Sequence, residues 1–282
     1  LFGFPLPLKK ETPAGSPASP EEADAGDKRV YFKDESVLIC RSLQPGRAPF
    51  GLAIKGGKNG LPMSHGHNDN GTYVVASGNV PLVADPGMEV YTKSSFGPRR
   101  FESMMMNSYG HSVPIIGKTL QKTGHDALGK IVETTFTDEQ DTLKMDLTTS
   151  YDVPGLERVV RTFIFNRARP SVEVIDEADF RAPTEFGSAV VTLSEWKEQG
   201  PGSFLIHEQG AAVQVTVTVE GAGPDVRIEN KIEPITAPQL PQGLKPIRLG
   251  LNLSRPVTHV VMRTLIVPAV APSPAKGPSG TK

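Results

Sequence analysis

The sequence has little that would place the protein in a membrane, on nucleic acid or in a disulfide-bonded scaffold. Its single cysteine, Cys40, excludes an internal disulfide and leaves the redox compartment open. No apolar run approaches the roughly 20 residues that a membrane-spanning helix needs. A formal net charge of −1 over 282 residues argues against nucleic acid or a membrane surface as a partner through bulk electrostatics.

The two ends of the chain differ in composition from its body. Residues 1–28 are rich in Pro, Ala, Gly, Ser and acidic residues, and residues 268–282 repeat that composition. Such segments bury too little apolar surface to offset their ordering entropy, so a disordered linker and a flexible tail are predicted, with one domain over 29–267. The chain starts at Leu1 and has no signal-peptide pattern, so we expect a piece of a longer protein.

Alternation of apolar and polar residues dominates the body of the chain. Residues 213–219 alternate Val with Gln or Thr, and 143–147 and 249–253 alternate in the same way. No window of about 12 residues has helical periodicity, and 99–106 favours at most a turn or two of helix. The pattern predicts an all-β fold, a large antiparallel β-sandwich of the supersandwich kind.

Three of the six histidines fall close together, at His65, His67 and His111. In extended chain, residues two apart point to the same face, so the first two can present both imidazoles to one space. A predicted hairpin over 72–85 returns Asp85 to the point where His67 enters. Two histidines and a carboxylate suit a borderline metal such as zinc, with one position left for water or substrate. Spacing alone leaves open that these are ordinary surface histidines and a turn aspartate.

Four blocks of sequence carry a family resemblance. The chain resembles the C-terminal domain of the heparinase II/III-like polysaccharide lyases, in matching order and spacing, at KGGKNG (55–60), HGHND (65–69), VADPG (83–87) and NSYGHSVP (107–114). In that family an α/α toroid precedes a β-sandwich, and the enzymes cleave uronic-acid polysaccharides by β-elimination. The resemblance therefore implies an anionic polysaccharide as partner and a periplasmic or secreted location.

The resemblance also assigns roles to individual residues. It implies that His67, Asp85 and His111 are ligands of one zinc ion, and that His65 faces the substrate cleft and assists at the substrate carboxylate. The main catalytic Asn, Tyr and His of the family belong to the toroid, which this sequence lacks, so we expect the fragment alone to be inactive. Tyr91 and Tyr109 are the candidates for a catalytic contribution from this domain.

Local charge supports a polyanionic partner. Between residues 41 and 130 there are ten Lys and Arg against five Asp and Glu. Held around one cleft, this excess would attract an anionic glycan, and Arg99 and Arg100 are the predicted substrate contacts. Two alternatives stay open: a non-catalytic glycan-binding or structural β-sandwich with a structural zinc, and a free-standing metal-dependent hydrolase.

Overall fold

The computed structural model describes residues 28–93 and 95–272, and within them the fold is built from strands. The strands are, in chain order, β1 (Arg29–Phe32), β2 (Val37–Ser42), β3 (Phe50–Lys55), β4 (Gly57–Lys58), β5 (Tyr73–Ser77), β6 (Val80–Val83), β7 (Ile115–Ile116), β8 (Leu128–Phe136), β9 (Gln140–Asp146), β10 (Leu156–Asn166), β11 (Ser171–Thr184), β12 (Phe186–Thr192), β13 (Glu195–Gly200), β14 (Ser203–Glu208), β15 (Ala211–Glu220), β16 (Ile228–Pro234), β17 (Ile247–Leu253) and β18 (Val257–Pro268). The predicted linker and tail lie outside the described residues, apart from Lys28 and 268–272.

The strands form three sheets in which every pairing is antiparallel. The five-stranded sheet has the order β1-β2-β3-β5-β6, and the four-stranded sheet has the order β16-β17-β12-β7. The nine-stranded sheet runs β13-β14-β15-β18-β11-β10-β9-β8-β4, so β18 lies inside it, between β15 and β11. This arrangement confirms the predicted all-β antiparallel sandwich.

One apolar cluster joins all three sheets. Phe50 of the five-stranded sheet stacks on Phe165 of the nine-stranded sheet, with ring centroids 6.1 Å apart. Phe180 of the nine-stranded sheet meets Phe186 of the four-stranded sheet at 6.4 Å. The predicted alternation is clearest in β9, where every second side chain is buried, because one face of the nine-stranded sheet packs on both smaller sheets.

Helical structure in the described residues is limited to three 3-10 turns, at Arg100–Glu102, Ser108–Gly110 and Thr148–Ser150. The first of them agrees with the short helix expected within 99–106. None of these turns has the length or the apolar character that crossing a membrane would require.

Candidate metal centre

The predicted hairpin forms and brings the candidate ligands together. Strands β5 and β6 pair with Ser77 opposite Val80, and Asp85 lies two residues after the end of β6. His67, Asp85 and His111 each offer a ligand atom, and these atoms lie within 4.8 Å of one another. His111 Nδ1 is 3.2 Å from Asp85 Oδ2, and the two imidazole centroids are 5.4 Å apart.

Hydrogen bonds from backbone amides hold the His67 and Asp85 segments in place. The His67 carbonyl accepts from the Gly60 amide at 3.0 Å, which ties two of the matching sequence blocks together. The Asp85 carboxylate accepts from the Gly87 amide at 2.8 Å, an Asx-type turn in which Gly87 has a φ of 76°. Only glycine adopts that φ without strain, so the Asp-Pro-Gly sequence fixes the carboxylate.

Arg161, on β10, links the His67 and His111 segments from beneath. Its Nη1 donates to the carbonyl of Gly71 at 2.8 Å and to that of Ser112 at 2.6 Å. Its Nε and Nη2 donate to the two oxygens of Asp176 at 2.6 and 2.7 Å. Both side chains are 1% exposed, so this is a buried ion pair that also serves as an anchor for two loops.

His65 lies apart from the three ligand candidates. It is exposed, whereas His111 is fully buried and His67 is 9% exposed. The Tyr91 hydroxyl is 3.3 Å from His65 Nδ1, and the Phe96 ring is 5.2 Å from the imidazole, edge to face. In the segment His65-Gly66-His67, called the HxH segment below, the imidazole of His67 is therefore buried and that of His65 lies at the surface.

The two predicted substrate arginines lie in different environments. Arg99 is exposed and donates to Glu102 at 2.9 Å. Arg100 is 1% exposed, and its guanidinium donates to the carbonyls of Ser95 and Gly66. The role of Arg99 and Arg100 as substrate contacts stays a prediction. The charge of Arg100 is bound to backbone beside the HxH segment, which sequence position alone does not reveal.

Tyr109 has a partly buried partner on the four-stranded sheet. Its hydroxyl donates to Glu233, and the Arg248 guanidinium lies 4.5 Å from its ring centroid. Arg248 further donates to the carbonyls of Tyr109 and His111, at 3.0 and 3.3 Å. Tyr109 therefore faces the four-stranded sheet rather than the pairing of His65 with Tyr91.

Comparison with known proteins identifies the family. Residues 43–240 match the family model of the heparinase II/III-like C-terminal domain. The chain belongs to this family. A solved heparinase III, the BT4657 gene product, superposes with a TM-score of 0.70 at 15% identity, over 88% of this chain and 37% of that one. A mutant of the heparan sulfate lyase HepC from Pedobacter heparinus gives a TM-score of 0.68 at 14% identity, again over 88% and 37%.

These solved structures establish that the heparinase II/III-like domain shares their fold. A further heparinase III structure gives a TM-score of 0.65 at 16% identity, over 84% of this chain and 36% of that one. The chain thus spans little more than a third of the length of these three solved proteins. No curated protein sequence shows a significant match.

Electrostatics in the heparinase II/III-like domain favour a neutral imidazole at His67 and an ionised carboxyl at Asp85, the forms that bind a cation. Burial, reinforced by His111, lowers the pKa of His67 to about 4, so its imidazole is neutral at pH 7. Burial would raise the pKa of Asp85, but His111, His67 and the Gly87 amide outweigh it and hold the carboxyl ionised. Burial would lower the pKa of His111, and the Asp85 carboxylate outweighs this and raises it.

One buried atom of the domain points to a missing partner. His111 Nε2 is buried and makes no hydrogen bond. Buried polar groups are rarely left in this state unless an ion or water completes them. A neutral imidazole, an ionised carboxylate and a second imidazole form a donor set that zinc accepts, so the residues fit a metal site.

Buried polar residues around the site were not singled out from the sequence. Gln121 donates to the Asn70 carbonyl at 2.8 Å and accepts from the Asn70 amide at 2.9 Å. Asn59 accepts from the Asp69 amide at 3.1 Å, and Asn59, Asn70 and Gln121 are each at most 3% exposed. Asn59 and Asp69 both lie within the sequence blocks that match the family, and this match could have pointed to them. No feature of the sequence marks Gln121.

Proposed function

We propose that this chain is the metal-bearing C-terminal β-sandwich domain of a polysaccharide lyase. The lyase cleaves uronic-acid-containing polysaccharides by β-elimination, and a preceding α/α toroid supplies its main catalytic Asn, Tyr and His. The observation that carries the proposal is that two groups of side chains lie next to each other, an inner layer that can hold a metal and an outer layer that can meet a substrate. His67, Asp85 and His111 cluster in the interior, and His65 with Tyr91 lies at the surface beside them.

The inner layer has the role of holding a metal. His67, Asp85 and His111 would bind a zinc ion through two imidazole nitrogens and one carboxylate oxygen. When bound, the ion supplies a fixed positive charge that stabilises nearby anionic oxygens and orders the ligand loops. The exclusion of His65 from this set leaves its imidazole free for a substrate.

The outer layer has the role of a hydrogen-bond donor. β-Elimination breaks the C5–H and C4–O bonds, forms the C4=C5 double bond, and needs a proton delivered to the departing O4 oxygen. Charge builds on the uronate carboxylate as the C5 proton leaves. When Tyr91 donates to Nδ1 of His65 across 3.3 Å, the imidazole proton resides on Nε2, which can then donate to that carboxylate.

Charge and chemistry fit a polyanionic glycan. Residues 41–130, the part of the chain that includes His65, His67, Asp85 and His111, contain ten Lys and Arg against five Asp and Glu, and exposed Arg99 is one of them. A lyase of this kind meets its polymer outside the cytoplasm, so a periplasmic or secreted location belongs to the proposal.

A second function is favoured by one observation. The ligand side chains are largely buried, and Arg161 joins the carbonyls of Gly71 and Ser112 next to them. A zinc ion there would hold loops together without touching a substrate. The domain would then be a non-catalytic glycan-binding or structural module with a structural zinc.

The test compares two histidine variants in the longer protein that includes the toroid. His65→Ala should lower turnover by about a hundredfold or more while metal content and melting temperature stay unchanged, because a positioned donor is removed from the transition state. The unsaturated products absorb in the ultraviolet, so absorbance growth on uronic-acid polysaccharides measures turnover directly. His125→Ala, at another exposed histidine, is the matched control.

Two results would contradict the proposal. Loss of the metal in His65→Ala would make that residue a ligand. Equal turnover in both variants would favour the structural module.

A further inference from the structure

A groove of about 440 Å³ lies on the four-stranded sheet, away from the HxH segment. Its floor is the outward side of β12 and β17, where Gly187 and Gly250 carry no side chain. A Cβ on Gly250 would lie 2.7 Å from the Lys231 carbonyl oxygen, so this position of the floor accepts only glycine unless the backbone shifts. The volume falls within the range of about 300–1,000 Å³ that small-molecule sites occupy.

Arg248 is a buried cation in the wall of this groove. It is 2% exposed, and its Nη1 donates only to the carbonyls of Tyr109 and His111. Arg161 and Arg167, which are similarly buried, each pair with an aspartate, whereas Arg100 donates only to carbonyls and, unlike Arg248, is not in the lining of this groove. Among residues 28–93 and 95–272, no carboxylate lies within ion-pair distance of Arg248. A buried charge without such a partner is costly, so it indicates a place where an anion completes the site.

The two carboxylates in the lining of the groove already have partners. Glu233 accepts from the Tyr109 hydroxyl and pairs with Lys231 at 3.1 Å. Lys118 pairs with the only other lining carboxylate, Glu185, at 2.9 Å. With Arg248 and Arg255, four cationic side chains face two carboxylates in the lining. The groove therefore carries a net positive charge that no residue of its lining balances.

We propose that this groove is a second binding site, separate from the metal site, for an anionic unit of a saccharide. Arg248, Lys231 and Arg255 engage its carboxylate or sulfate group. Arginine presents a planar set of donors that suits both groups, and the apolar side chains of the lining suit a sugar face. The choice of a sugar as the carrier rests on the proposed function, whereas the anion site rests on the groove alone.

The test measures binding by calorimetry to four probes: inorganic sulfate, a sulfated disaccharide, a uronate disaccharide and a neutral disaccharide. The double variant Lys231→Gln/Arg255→Gln removes two exposed cations of the groove, so it leaves the core intact. It should weaken binding of the acidic disaccharides by about tenfold or more, since charge-assisted contacts are lost. Lys33→Gln/Lys130→Gln, which removes two exposed lysines outside the lining, should bind as the wild type does.

Two further variants locate the binding. Arg248→Lys keeps the charge but loses the planar donor set, so it should weaken binding while the protein stays folded. His67→Ala should leave binding unchanged, because the metal ligands lie outside the lining.

Three results would overturn the proposal. The first is equal affinity in the two double variants, and the second is loss of binding in His67→Ala. The third is groove-dependent binding of sulfate without preference for acidic over neutral disaccharides, which would refute the sugar assignment. The lyase proposal is judged separately, by formation of unsaturated product.

Discussion

Replacing Arg161 by methionine should destabilise the domain and loosen its metal site together. The Arg161 guanidinium donates to Asp176, on the neighbouring strand β11, and to the carbonyls of Gly71 and Ser112, which belong to two loops. Burial alone would lower the pKa of Arg161, but Asp176 and the nearby tyrosines outweigh it and raise that pKa, so the guanidinium stays charged across the pH range of ordinary assays. Removing one partner leaves a buried carboxylate without a counter-charge.

The expected loss in the free energy of unfolding is about 3–5 kcal/mol, the usual cost of breaking a buried pair by deleting one member. Replacing both charges, as Arg161→Met/Asp176→Leu, should recover most of this, because a buried ion pair is often no more stable than apolar side chains of similar volume. The two carbonyls remain without their donor in either variant. Zinc affinity should therefore fall by about 10- to 100-fold in both, as it does when the supports of metal ligands are removed.

Urea unfolding with and without zinc measures both quantities. Arg158→Met is the matched control, since Arg158 lies on the same strand and pairs with Glu177 on the outer face, with side chains 40% and 34% exposed. It should cost about 1 kcal/mol or less. The reasoning fails if Arg161→Met costs no more than Arg158→Met, or if the double variant is as unstable as the single one.

Three further predictions concern the metal, the activity and the response to acid. The purified chain should retain about one equivalent of zinc by elemental analysis, and His67→Ala, but not His125→Ala, should lose it together with several degrees of melting temperature. The chain alone should release no ultraviolet-absorbing product from uronic-acid polysaccharides, and product formation that His65→Ala abolishes would show that this domain suffices. Burial alone would raise the pKa of Asp141, but hydrogen bonds from Arg167 and Arg29 outweigh it and lower that pKa. Its stabilising contribution is present above the unfolded-state pKa and is lost as pH falls through the folded-state value, so Asp141→Asn should flatten the acid side of the stability profile.

Local pattern was sufficient to predict strands and the hairpin. Val213, Val215 and Val217 are buried in β15 as their alternation indicated. The Ser77-Gly78-Asn79 turn returned Asp85 to His67 because hairpin geometry depends on neighbouring residues only. The order of strands within the nine-stranded sheet depends on contacts far apart in sequence, which alternation does not encode.

The buried charges show where pattern misleads. Arg161 has the same parity as Val159 and Phe163, and Asp176 has the same parity as Val174, so both charges stood at core-facing positions of their strands. Two opposite charges with core parity on adjacent strands are a readable sign of a buried pair. Arg100 had no such sign, because it lies in a loop segment where no periodicity assigns a face.

The place of β18 has a consequence for how the protein is made. β18 lies between β15 and β11 and is hydrogen-bonded to both. It is the last strand of the chain and ends at Pro268, whereas β11 begins at Ser171. On the ribosome, strands β1, β2, β3, β5 and β6 can assemble their own sheet early, since all their partners are near in sequence. The largest sheet stays divided, with open edges on β11 and β15, until β18 emerges. Nascent chains halted before Val257 would expose both edges and should aggregate or recruit chaperones.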